Sequence, residues 1–158
     1  MPRTASRTPP PLPEVAPLWR RLMAILYDCI VLSGVVLLVA AIAYSLFGRA
    51  IQYGFGRALF QTVLFGLAYT YYSYFWMHGG QTTGMRAWRI RVLSADGQRG
   101  ITPWQALLRF FVAIPSGLLA GLGFLWMLWD PQRMTWHDRY SESQIFMAPW
   151  PAKTKPAG

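Results

Sequence analysis

The chain has 158 residues, 54% of them hydrophobic and 13% charged, with a formal net charge of +9 at pH 7. One domain is the natural count at this length, and apolar residues gathered into blocks close to a bilayer span argue against a soluble globular domain. The apolar blocks leave only short polar segments for the 15 Lys and Arg residues, with no room for a folded nucleic-acid-binding domain. The charge is instead read as facing anionic lipid headgroups.

From Met1 to Pro17 the chain is rich in proline among basic and small residues, which predicts a disordered or polyproline-like tail. The first apolar block, Leu22 to Phe47, is broken only by Asp28, and a helix needs roughly 20 apolar residues to cross the hydrocarbon. Cys29 sits inside this block and, as the only cysteine, can form neither an intramolecular disulfide nor a cysteine metal cluster. The second block, Ala58 to Met77, carries no charge. It ends in Tyr69, Tyr71, Tyr72, Tyr74, Phe75 and Trp76, as expected where a helix meets the headgroups. The short link from Gly48 to Arg57 predicts that these two helices are antiparallel neighbours.

Between His78 and Pro103 the pattern changes. Apolar and basic residues alternate from Trp88 to Leu93 and Asp96-Gly97 follows, a local β-hairpin signal that predicts a small polar ribbon or amphipathic element on the headgroups, with an irregular loop as the alternative. The third apolar block, Trp104 to Trp129, is interrupted by Arg109 and by Pro115-Ser116-Gly117. It is long for one helix and short for two spans, so it is either a kinked span or two half-helices folded back at the proline. After Asp130 a polar stretch leads to Ile145-Phe146-Met147 and a disordered tail from residue 148. Arg3, Arg7, Arg20 and Arg21 precede the first block, and Arg86, Arg89, Arg91 and Arg99 follow the second. The positive-inside rule then puts the N-terminus and the 78–103 segment in the cytoplasm. Arg133, Arg139, Lys153 and Lys155 favour the same side for the C-terminus, and with it the folded-back third block.

An ionisable group in the middle of a spanning helix costs roughly 2.5 to 3.5 kcal/mol on insertion scales. Asp28 is the clearest case. Arg21 precedes it by seven residues, on nearly the same helix face but about 10 Å away along the axis. Ala24 stands between them and admits a close neighbour. Arg109 in the third block is the expected partner for Asp28, and Asp138 is expected to close the network. Arg20, Asp130, His137 and Arg139 are secondary members. Such a cluster either exchanges a proton or ion, or fixes helix register. His78 and His137 lack a further ligand at metal spacing, and Gly79-Gly80-Gln81-Thr82-Thr83-Gly84 lacks the ending of a phosphate-binding loop. No cofactor, metal site or catalytic function is expected.

Three blocks resemble the RDD family of small bacterial multi-pass membrane proteins, named for an arginine and two aspartates. The first is Leu18-Trp19-Arg20-Arg21-Leu22-Met23-Ala24-Ile25-Leu26-Tyr27-Asp28, with Arg21 and Asp28 at the matching positions. The second is Gly79 to Arg86, followed by Arg91-Val92 and Asp96-Gly97. The third joins Ala106-Leu107-Leu108-Arg109 to Thr135-Trp136-His137-Asp138-Arg139, where Asp138 matches the second aspartate. The chain departs from the family pattern at Tyr140-Ser141-Glu142-Ser143, where the family has a small residue, glycine and threonine, and at Met85, commonly lysine. The resemblance implies an inner-membrane protein, with transport often proposed and sodium/proton exchange reported for some members.

The sequence therefore predicts an all-α integral membrane protein with three hydrophobic helical segments, the third kinked or folded back at Pro115-Gly117. A polar ribbon separates the second and third. The domain runs over residues 18–147 between tails at 1–17 and 148–158. The expected function is transport of ions or small solutes in the bacterial cytoplasmic membrane, with cation/proton exchange as its specific form. Three or four helices enclose too little volume for a private path, so an oligomer or another membrane protein is the expected partner. The alternative is an accessory or scaffold subunit of a membrane complex.

Overall fold

The computed structural model describes residues 13–118 and 122–148. Helix α1 spans Leu18–Phe47; Pro17 stands just before it, with its fixed φ of −68°. The helix stops at Gly48, whose φ of 56° turns the chain while its N–H donates to the Tyr44 carbonyl. A short 3-10 segment, Gly48–Gln52, leads into α2, Gly54–Met77. Together α1 and the 3-10 segment form the one continuous helical stretch among the described residues that is long and apolar enough to cross a membrane. Helix α2 has the length but mixes Gln61, Thr62, Thr70, Ser73 and its tyrosines into the apolar residues.

The predicted close pairing of α1 with α2 is replaced by another arrangement. The main packing partner of α1 is the short helix α3, Thr83–Ala87, and α2 packs on α4, Pro103–Leu118. Gly84 makes the first of these contacts possible. A Cβ there would stand 2.1 Å from the Ala24 carbonyl oxygen, so only glycine lets α3 approach α1 so closely. The second contact is aromatic: Phe110 meets Phe65 at 5.5 Å and Tyr69 at 5.3 Å in edge-to-face geometry.

Strand β1, Ile90–Ser94, does not close a local hairpin. It pairs antiparallel with β2, Ser143–Met147, with Val92 opposite Ile145. The Asp96-Gly97 turn does form, as Gly97 N–H donates to Ser94 O and Ser94 N–H to Arg99 O. The strand register goes to β2 because Ile90, Val92 and Ile145 are buried together in one core. On its other edge β2 receives the N-terminal segment: Ala16 N–H donates to Ile145 O at 2.9 Å, and Met147 N–H to Glu14 O at 2.7 Å. Glu14 to Ala16, assigned by the sequence to a disordered tail, are thus held in place by a central strand that needs partners on both edges. Residues 1–12 and 149–158 of the expected tails lie outside the described residues.

Helix α4 runs through Pro115, so the break is not at the proline itself. The axis turns through 108° between α4 and the segment from Leu122 to Leu128, which opens with α5, Leu122–Leu125. Gly123 permits the fold-back, since a Cβ there would meet Ser116 Oγ at 1.9 Å. Helix α6, Trp136–Tyr140, then packs against α4 and leads into β2.

Candidate functional site

Where α1, α4, α6 and β2 meet, Asp138 is fully buried between two guanidinium groups. Arg21 Nη1 donates to Asp138 Oδ2 at 2.5 Å, and Arg109 Nη1 stands 2.6 Å from Oδ1. Arg21 does more than neutralise charge. Its Nε donates to Ala16 O at 3.0 Å and its Nη2 to Ile145 O at 3.2 Å, so one side chain ties the N-terminal segment, β2 and α6 to α1. Arg109 Nη1 also donates to Ser143 Oγ at 2.7 Å, and Ser143 Oγ lies 2.6 Å from Ser141 Oγ, which donates to His137 O.

Asp138 is positioned by its own helix start. The Thr135 hydroxyl accepts from Asp138 N–H, and Asp138 Oδ2 accepts from Thr135 N–H, closing a capping box. Burial pushes the Asp138 carboxyl up, but the adjacent Arg109 and Arg21 charges outweigh it, and the group is held below the ordinary carboxylate range. Burial pushes the His137 imidazole down to about 3, against the attraction of Asp138 and with the repulsion of Arg109 and Arg21. His137 is therefore neutral at physiological pH. Its Nε2 lies 3.1 Å from Thr135 Oγ1, and its ring packs on Phe124.

Asp28 is not paired with either arginine. Its carboxylate accepts from Thr82 Oγ1 at 2.5 Å, Gly84 N–H at 2.7 Å and Tyr71 hydroxyl at 2.9 Å. The expected single network of Arg21, Asp28, Arg109 and Asp138 is thus two centres, one ionic and one in which neutral donors hold a carboxylate. The reason is steric. With α3 pressed against Ala24, its first turn presents an N-terminal N–H and the capping Thr82 hydroxyl directly to Asp28.

The secondary residues lie further out. Arg20 reaches the Trp88 carbonyl at 3.4 Å and its guanidinium sits 5.0 Å over the Trp19 ring. Asp130 accepts from Arg139 Nη2 at 3.1 Å and from Met134 N–H at 2.9 Å, fixing the turn before α6. Sequence reading missed Thr82, Gly84, Tyr71, Thr135 and Ser143. Thr135 was detectable, because a threonine three residues before an acid is a capping-box signal, whereas Tyr71 and Ser143 carried none.

Between the two centres lies a cavity of about 240 Å³. Arg21, Asp28 and Arg109 line it together with Trp76, Phe110 and Phe124, so most of its wall is apolar. No cluster of His, Cys, Asp or Glu among the described residues is arranged to hold a metal ion.

Comparison with known families matches the chain to the RDD family over residues 15–142. The chain belongs to the RDD family. That match takes in Arg21, Asp28, Arg109 and Asp138, while β2 lies beyond its end. No curated protein and no solved structure matches the chain.

Proposed function

We propose that this RDD protein is a multi-pass protein of the bacterial cytoplasmic membrane that works as an oligomer in the transport of an ion or small solute. The observation that carries the reading is the cavity with Asp28, Arg21 and Arg109 in its wall. Ionisable groups that line a cavity among membrane helices mark solute and proton pathways. Membrane insertion is supported by α1, since nothing in its most apolar 18-residue window is buried within the protein. Ile30, Leu37, Leu38 and Leu46 all face outward there. The arginines on either side of the first two helices support a cytoplasmic N-terminus under the positive-inside rule.

In its specific form, exchange of sodium or potassium for a proton, Asp28 is the coupling carboxylate. An ionised carboxylate has about four lone-pair positions, and three of those on Asp28 are taken by protein donors, which leaves one for a cation or proton. The test is sodium- or potassium-driven collapse of an imposed proton gradient in proteoliposomes. Flux is expected from the wild type and not from a folded Asp28→Asn variant. Equal flux from both would remove Asp28 from the mechanism.

A second reading, an accessory subunit without transport of its own, is favoured by the structural role of both carboxylates: Asp138 ties α6 to Arg21 and Arg109, and Asp28 holds α3 against α1. Absence of flux from the intact wild type, with a stoichiometric membrane partner on purification, would select it.

A further inference from the structure

At one end of the cavity stands the Arg109 guanidinium. A guanidinium carries five N–H donors. Arg109 Nη1 is engaged by Asp138 and Ser143, and its guanidinium lies 5.4 Å over the Trp76 ring. Its hydrogen bond to Ser143 and its ion pair with Asp138 both run through Nη1, and its side chain is only 2% exposed. Two ring nitrogens from the same wall, Trp76 Nε1 and His137 Nδ1, are buried without a partner. A buried donor left unmade costs about 1 to 3 kcal/mol. Trp76 Nε1 is such a donor and lines the cavity beside the Arg109 guanidinium, so this end suits an anionic oxygen.

The rest of the wall is of the opposite character. Ala24, Ile25, Ala113, Ile114 and Phe124 line it, and Ile114 is 37% exposed where the cavity reaches the surface. The exposed Leu22, Leu26 and Phe111 belong to the same two helices. At roughly 30 Å³ per water-sized group, the volume takes about eight such groups, a stretch of acyl chain. Asp28 also lines the cavity, but its oxygens already accept three bonds, so an anionic head belongs on Arg109.

We propose that this cavity holds the apolar chain of a membrane amphiphile whose anionic oxygen is received by Arg109. The inference rests on the membrane-embedded reading above and not on transport. A fatty-acid carboxylate and a phospholipid phosphate offer the same chemistry, and the experiment separates them.

The full chain is placed in phosphatidylcholine vesicles at alkaline pH with a trace of fatty acid bearing a mid-chain diazirine. Parallel samples carry phosphatidylglycerol with the same chain, or the corresponding fatty alcohol. After photolysis the adducts are mapped by mass spectrometry. Adducts are expected on the peptides of Ile25, Ile114 and Phe124, at least fivefold fewer with the alcohol than with one of the two anionic probes. The anionic probe that labels identifies the source. Ala113→Phe, which fills the mouth, reduces the labelling to the level of the alcohol. If that variant does not fold, the comparison of acid, phospholipid and alcohol on the wild type decides alone. Adducts confined to Leu37 and Leu38 on the outer face of α1, equal for all probes, would overturn the inference while leaving membrane insertion standing. Release of the chain by alkaline carbonate with no adducts anywhere would overturn the membrane reading, and the inference with it.

Discussion

At the residue scale, the approach of α3 to α1 depends on one missing methyl group. Gly84→Ala drives a Cβ into the Ala24 carbonyl and pulls the Gly84 N–H from Asp28. The expected loss is about 2 to 3 kcal/mol, as for overpacking a tight contact, read by denaturant unfolding in detergent. Glu142 presents the reverse case. It lies in the stretch that departs from the family pattern, and it adopts a left-handed φ of 47°, which costs a residue with a side chain about 1 to 2 kcal/mol. Glu142→Gly therefore raises stability by about 1 kcal/mol in the same assay. The departure from the family pattern was legible in the sequence; its conformational meaning was not, because φ at 142 follows from the return of the chain into β2. His137 supplies a pH signature. Its folded-state pKa of about 3 lies below the ordinary 6.5, so between those values the unfolded chain binds a proton that the folded chain refuses. Stability falls as pH drops through that window, and Asp138 adds its own loss only below the ordinary carboxylate value of 3.8. The melting midpoint of the wild type is expected to fall between pH 6.5 and 4.5 by several degrees more than that of His137→Gln; parallel curves would contradict a neutral buried histidine.

At the scale of elements, the ionic centre is what joins α1, α4, α6 and β2. Removing its carboxylate in Asp138→Asn leaves two buried guanidinium groups facing each other without compensation. Breaking a buried pair from one side costs about 3 to 5 kcal/mol. The variant is expected to lose that much in denaturant unfolding, and a loss below about 1 kcal/mol would place the charges in a solvated site. Each helix was visible in the chain as an apolar block, and the arginines and aspartates stood out because they interrupt those blocks. Their pairing was not visible. Asp28 and Arg109 look complementary in sequence, yet the local contact of α3 with Ala24 satisfies Asp28 first, and Arg109 turns to Asp138. The strand pairing was hidden for a related reason. Alternation from Trp88 to Leu93 identifies a strand, but its partner lies some fifty residues away, chosen by burial of Val92 against Ile145 rather than by the nearby turn.

At the scale of the whole molecule, the N-terminal segment, β1 and β2 form one sheet-like layer, with β2 in the middle. If α1 and α2 cross the bilayer, Glu14, Gln98 and Glu142 must all stand on one side of it, and the 108° turn after α4 returns the chain to the side from which it entered. Charge asymmetry in the sequence pointed to this arrangement, while the hydrogen bonds from Ala16 and Met147 across β2 supply its physical basis. The most direct test is the sidedness of single cysteines, placed in a Cys29→Ala background and labelled by a membrane-impermeant maleimide in vesicles of known orientation. Cysteines replacing Glu14, Gln98 and Glu142 are expected to react from the same face, and one replacing the exposed Tyr53 in the link between α1 and α2 from the other. Reaction at positions 14 and 142 from opposite faces would contradict the account.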